Sequence, residues 1–105
     1  MSYPEIIKQL PSVELPIKGV KSYKLQGPKN QLVFFEFTEE VSIPEHSHKA
    51  QWGIVVEGRI DLTIGGLQIT YKKGDSYFIP DGIKHSAKVY KGFSAIDFFD
   101  QPDRY

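Results

Sequence analysis

Apolar and polar residues alternate along most of this chain, in short segments separated by turn-forming residues. Alternation with period two puts every second side chain on one face, the signature of a half-buried strand. Residues 19–26 (GVKSYKLQ) alternate and run into the turn Gly27-Pro28-Lys29-Asn30. Residues 31–38 (QLVFFEFT) are rich in β-prone types, with Glu39-Glu40 as the hairpin tip. Residues 41–48 contain Pro44. Proline cannot donate to a ladder, so this segment is expected to be irregular or to lie at an edge. Residues 52–57 read as a strand ending at Gly58, and residues 59–64 (RIDLTI) place Ile60, Leu62 and Ile64 on one face. Gly65-Gly66 suits a type I′ hairpin turn, from which residues 67–71 (LQITY) return. Residues 77–79, 86–90 and 93–99 complete a set of eight or nine strands. Only residues 4–10 look helical, and that segment is too short to hold a helix by itself. Many short strands with regular turns predict an all-β sandwich or barrel.

Length and composition narrow the picture. The chain has 105 residues, which predicts one domain. Such a chain buries only about 60–65% of its unfolded surface and is marginal alone, so a homodimer is expected. Phe34, Phe35, Phe37, Tyr77, Phe78 and Phe93 are assigned to the core. Trp52 should face away from Gln51, its neighbour on the strand; if that face is the outside of the barrel, Trp52 marks a dimer contact. Thirteen basic residues balance thirteen acidic ones, which argues against a nucleic-acid partner and against a polybasic membrane surface. There is no cysteine, so disulfides, zinc–thiolate sites and thiol nucleophiles are excluded. No apolar run approaches the ~18 residues of a membrane span. The N-terminus MSYPEIIKQLP lacks the basic start and apolar run of a signal peptide, and the expected location is cytoplasmic.

The chemistry concentrates in three histidines, His46, His48 and His85. In an extended segment, residues i and i+2 point the same way with Cα atoms roughly 6.6 Å apart. Two imidazoles at that spacing can converge on one ion at about 2.0–2.1 Å from each nitrogen. Gln51 follows across a short bend and offers an amide oxygen as a further ligand. Closing a barrel would bring His85, distant in sequence, to the pair. A His-x-His pair can equally be plain polar surface.

The residues around the histidines shift that balance. Residues 46–58 read HSHKAQWGIVVEG, and residues 74–85 read GDSYFIPDGIKH. These closely resemble the two motifs of the cupin family. The first is His-x-His, a short spacer, Glu, six residues and Gly; here Gln51 stands at the Glu position and Gly58 at the Gly. The second is Gly, five residues, Pro-x-Gly, two residues and His, which Gly74, Pro80, Gly82 and His85 match without a gap. The chain departs from the family in a shorter spacer between His48 and Gln51, and in Val89, which stands where the second motif ends in Asn. The resemblance implies a cupin-type double-stranded β-helix, or jelly-roll, barrel in a single cupin domain spanning residues 1–105. Residues 1–18 would be an N-terminal extension and 19–100 the barrel. It also implies one divalent transition metal, drawn from Zn, Ni, Fe, Mn or Cu, on His46, His48, Gln51 and His85. An all-neutral ligand set leaves the ion its full charge, strengthening its Lewis acidity.

A second likeness comes from the C-terminal strand. Residues 93–99 (FSAIDFF) set Ala95, Asp97 and Phe99 on one face and Ile96 and Phe98 on the other. An Asp among aromatics is raised in pKa if it is buried, although an Asp at a strand end can simply face water. The His-x-His…Gln arrangement, the GDS-x-x-IP segment and the Asp-x-Phe near the C-terminus are similar to the small pectin-degradation cupins, which open unsaturated uronates to linear keto sugars. That resemblance implies Asp97 as the acid/base and Phe99 as a substrate-pocket aromatic. Arg59 or Arg104 would pair with a substrate carboxylate; either can also be a solvated surface arginine. The ligand is then a small acidic molecule. The alternatives are a metal-dependent dioxygenase and a metallo-cupin that binds a small ligand without turnover.

Overall fold

The computed structural model describes residues 3–105. Among these described residues, nine strands follow one short helix, α1 (Glu5–Lys8). They are β1 (Val20–Gln26), β2 (Gln31–Phe37), β3 (Val41–His46), β4 (Gln51–Glu57), β5 (Arg59–Ile64), β6 (Leu67–Lys72), β7 (Ser76–Ile79), β8 (His85–Val89) and β9 (Ser94–Phe99). A five-stranded sheet runs β1-β2-β9-β4-β7, and a four-stranded sheet runs β3-β8-β5-β6. All the pairings are antiparallel. Two antiparallel sheets face to face make the cupin jelly roll expected from the motifs.

Alternation does the packing. Ile60 and Leu62 of β5 are buried on the inner face of the four-stranded sheet, and Val33 and Phe35 of β2 on the inner face of the five-stranded one. Between them lie Val55, Ile79, Val89 and Phe93, so the core fills the space between the sheets. At Gly65 and Gly66 the φ angles are 56° and 85°, the double positive φ of the I′ turn that joins β5 to β6.

Pro44 does not break the third strand. It sits inside β3, at the sheet edge, where the register shifts between Ile43 and His46. The bulge absorbs the missing donor. His48, however, falls in the loop after β3 and not on the extended strand. Phe78, expected in the core, lies on the outer face of β7 and is exposed. Its partner across the ladder is Trp52, which faces away from Gln51 as expected. The helical segment is real but only one turn long. It is preceded by Tyr3, whose hydroxyl donates to the Phe35 and Ala95 carbonyls at 3.2 and 3.0 Å. No helix among the described residues is long and apolar enough to cross a membrane.

Candidate functional site

The three histidines meet at one end of the barrel. His46 closes β3 and His85 opens β8, and the ladder sets them directly opposite each other. His48 reaches them from the following loop. The His46 and His85 ring centroids are 4.2 Å apart, and those of His48 and His85 are 4.7 Å apart. One ring nitrogen from each histidine lies within 4.8 Å of the other two.

Local main-chain bonds set the direction of each ring. His46 Nδ1 lies 2.9 Å from the Pro44 carbonyl, His48 Nδ1 2.6 Å from that of Lys49, and His85 Nδ1 2.9 Å from that of Ile83. A carbonyl can only accept, so each of these nitrogens carries the proton. Every Nε2 is then a bare lone pair. Two of them, on His48 and His85, face each other at 3.1 Å. Neither can donate, and two lone pairs at that distance repel unless a cation lies between them. Burial strengthens the arrangement: it pushes His48 down to about 4 and lowers His85 as well. At neutral pH both rings are uncharged, the form that binds a metal. This donor set fits one divalent transition ion.

The other half of the site lies on the inner face of the five-stranded sheet. Asp97, in the middle strand, is buried. Its Oδ1 accepts hydrogen bonds from the Tyr77 hydroxyl at 2.6 Å and from Gln51 Nε2 at 2.9 Å. Burial raises the Asp97 carboxyl to about 6, while those two donors hold it back. Tyr77, wholly buried beside the carboxylate, is pushed well above its ordinary value. The bond from Gln51 occupies its amide nitrogen and leaves the amide oxygen for a cation. Gly53 makes room for the cluster, because a Cβ there would run into Asp97 Oδ1 and the Tyr77 ring.

A cavity of about 280 Å³ joins the two halves. His46, His48, His85, Gln51, Asp97 and Phe99 all line it. Phe99 also packs edge-on against the His48 ring, with centroids 5.7 Å apart. Arg59 is not brought to the cavity: it is exposed on β5 with its guanidinium 3.9 Å above the Tyr90 ring. Arg104 does line the cavity, stacked 4.4 Å from the Tyr105 ring. Its Nε is buried without a hydrogen-bond partner among the described residues. Tyr77 and Gly53 are the site residues that sequence reasoning missed. A glycine inside the apolar strand QWGIVV is the signal that points to a close approach.

The cupin domain family model matches residues 33–91, a span that contains all three histidines and Gln51. No curated protein sequence matches the chain significantly. The structure is similar to an RmlC-like cupin from Shewanella frigidimarina, at 28% identity and a TM-score of 0.79, over 92% of this chain and 87% of that one. It is also similar to KdgF from Halomonas sp., at 22% identity and a TM-score of 0.78, over 92% of both chains. Some 94% of the chain superposes on 29% of Bacillus subtilis oxalate decarboxylase, a protein with Mn(II) centres, at 19% identity and a TM-score of 0.75.

Proposed function

This chain belongs to the cupin family, and from that membership we propose that it is a metal-dependent enzyme that opens the ring of a small unsaturated acidic sugar. The observation that carries the reading is a shared cavity: a histidine cluster able to hold a cation, a buried carboxylate and a guanidinium whose Nε has no hydrogen-bond partner among the described residues all face one space. The likeness to the pectin-degradation cupins supports the substrate class, as does the fold similarity to KdgF.

His46, His48 and His85 would hold the ion through Nε2, with Gln51 Oε1 beside them. When bound, the ion supplies Lewis-acid polarisation of substrate oxygens. Arg104 binds the sugar carboxylate with a charge-assisted hydrogen bond that its Nε makes to no other described group. Phe99 packs against the sugar ring and keeps water from that side.

Asp97 moves the proton. As a carboxylate, held by Tyr77 and Gln51, it takes the proton of the anomeric hydroxyl. The carbonyl forms there as the ring C–O bond breaks. The ring oxygen stays on the neighbouring carbon as a ketone, and the double-bond electrons take the proton back from Asp97. Nothing is gained or lost, so no co-reactant is needed. A carboxyl near 6 serves both directions at neutral pH.

The test is turnover of unsaturated galacturonate by the metal-loaded protein, followed by loss of enol-ether absorbance. Turnover that disappears in Asp97→Asn, with metal content unchanged, supports the proposal; no turnover of any unsaturated uronate contradicts it.

A second reading rests on the far end of the cavity. Away from the histidines its lining is apolar, with Val20, Phe37, Ile60 and Phe93 among it. That end suits an enolic substrate with an apolar body, as a metal-dependent dioxygenase would take. Substrate consumption that requires O₂ would favour this reading.

A further inference from the structure

Past β9 the chain pairs with neither sheet, yet it delivers two side chains to the cavity. Arg104 and Tyr105 both line it, with the Arg104 guanidinium 4.4 Å from the Tyr105 ring. A segment without ladder bonds has no neighbouring strand to fix its path, so its main-chain groups must find side-chain partners. For residues 102–105 those bonds converge on one residue, Gln31.

Gln31 opens β2 and shares its inward face with Val33 and Phe35. It is 1% exposed, a primary amide in an otherwise apolar row. Burying such a group is costly unless its donors and acceptor are used. The tail uses them. Gln31 Nε2 donates to the Pro102 and Tyr105 carbonyls, each at 2.9 Å, and Gln31 Oε1 accepts from the Tyr105 N–H at 3.1 Å. The side-chain amide thus exchanges bonds in both directions with Tyr105, as a neighbouring strand would. Gln26 Nε2 also donates to the Pro102 carbonyl at 2.9 Å, and Lys24 Nζ to the Tyr105 carbonyl at 3.2 Å. Those two side chains are exposed and half-buried and compete with water; the bonds of the buried amide keep more of their strength. The Tyr105 ring completes the docking, edge-on to Phe35 and Phe99 with centroids 6.0 and 5.4 Å away.

We propose that Gln31 is a positioning residue, which clamps the main chain of residues 102–105 and so holds Arg104 at the cavity before a substrate carboxylate arrives. The proposal rests on the reading of this cavity as a site for a small acidic sugar. Gln31 itself does not line the cavity, and β2 does not need its amide, because main-chain ladders to β1 and β9 flank the strand on both sides. The gain is in preorganisation. Arginine carries much rotamer freedom, and a side chain ordered on folding does not pay that cost again on binding.

Gln31→Met keeps the length of the side chain and removes its amide. Two measurements on the zinc-loaded chain test it. Amide hydrogen exchange by NMR reads the tail. Titration with galacturonate, which lacks the double bond, reads the carboxylate site, with galactose as the neutral counterpart. In the wild type the Tyr105 N–H should be protected; in Gln31→Met it should exchange freely while the amides of β2 and β9 stay protected. Galacturonate affinity should fall about threefold to tenfold, the worth of a hydrogen bond, and galactose affinity should not change. In an Arg104→Ala background Gln31→Met should cost no further galacturonate affinity, because both substitutions act through one guanidinium. A tail that stays protected in Gln31→Met overturns the proposal. So does a freed tail with undiminished galacturonate affinity, an equal loss for galactose, or penalties that add. If Arg104→Ala leaves galacturonate affinity unchanged, the acidic-sugar reading fails and takes the role of Gln31 with it. If Arg104→Ala weakens binding and Gln31→Met does not, only the role of Gln31 fails. Gln31→Glu, which turns a carboxylate toward the two carbonyls, gives the same comparison should Gln31→Met not fold. An unprotected Tyr105 N–H in the wild type overturns the clamp without any variant.

Discussion

The two sheets supply the two halves of the site in different ways. The histidine half stands at the end of the four-stranded sheet, where each ring is aimed by a carbonyl one or two residues away. The carboxylate half stands in the middle of the five-stranded sheet. There Asp97 is held by Gln51 and Tyr77, which are 46 and 20 residues distant in sequence. The first half is oriented locally and is suited to holding a cation. The second is oriented by the fold as a whole and is suited to holding a proton. Damage to the two halves should therefore be separable: loss on one side removes the ion, and loss on the other leaves the ion but stops or retunes the proton.

The sharpest break is His85→Ala. Removing one of three imidazoles should abolish tight metal binding and turnover together. In the wild-type protein, metal at a thousand-fold excess over its dissociation constant adds about 4 kcal/mol. For a domain of this size that is a rise in Tm of more than about 10 °C. EDTA should reverse it, and in His85→Ala added metal should no longer produce it. Differential scanning calorimetry with and without metal checks both.

Asp97→Asn should show the opposite pattern. Metal content stays, and kcat falls by roughly 10²–10⁴, the contribution of a positioned acid/base. Stability moves the other way. Burial holds the folded carboxyl at about 6 against an ordinary 3.8. The folded state thus binds more protons between those values, and the stabilisation present below pH 4 is lost as pH rises through 6. An asparagine has no such cost, so the metal-free variant should be more stable than wild type at pH 7, on the order of 3 kcal/mol. Denaturant melts at pH 4 and pH 7 read this, with the two proteins converging at the lower pH.

Arg104→Ala should raise KM about tenfold or more, the loss of a hydrogen bond to a charged group, with metal content unchanged. Arg59→Ala should alter neither constant, because Arg59 stands outside the cavity. Tyr77→Phe is the smallest break. It removes a donor that favours the Asp97 carboxylate, so the limb of the pH–rate profile set by Asp97 should move to higher pH by about one unit.

The same division explains what could be read from the chain alone. His46, His48 and His85 were legible because two compact motifs carry them and their orientation is local. The inward face of β9 was legible too, since alternation alone groups Ala95, Asp97 and Phe99. The partners of Asp97 were not. Tyr77 reads as a core aromatic until the order β9-β4-β7 sets it near the carboxylate. Arg104 lies past the last strand, where no periodicity applies, and its return to the cavity depends on the tail. There Tyr105 N–H donates to Gln31 Oε1 at 3.1 Å, and Gln31 Nε2 donates to the Pro102 carbonyl at 2.9 Å. Phe78 misled because an apolar residue in a strand reads as core, and only the register puts it beside Trp52 on the outer face.

X-ray absorption on the chain loaded with one equivalent of Zn²⁺ tests the central claim most directly, because it counts imidazoles. Three histidine nitrogens at about 2.0–2.1 Å, reduced in number in His48→Ala, are the expected result. A zinc bound only by oxygen, or a spectrum that His48→Ala leaves unchanged, would contradict it.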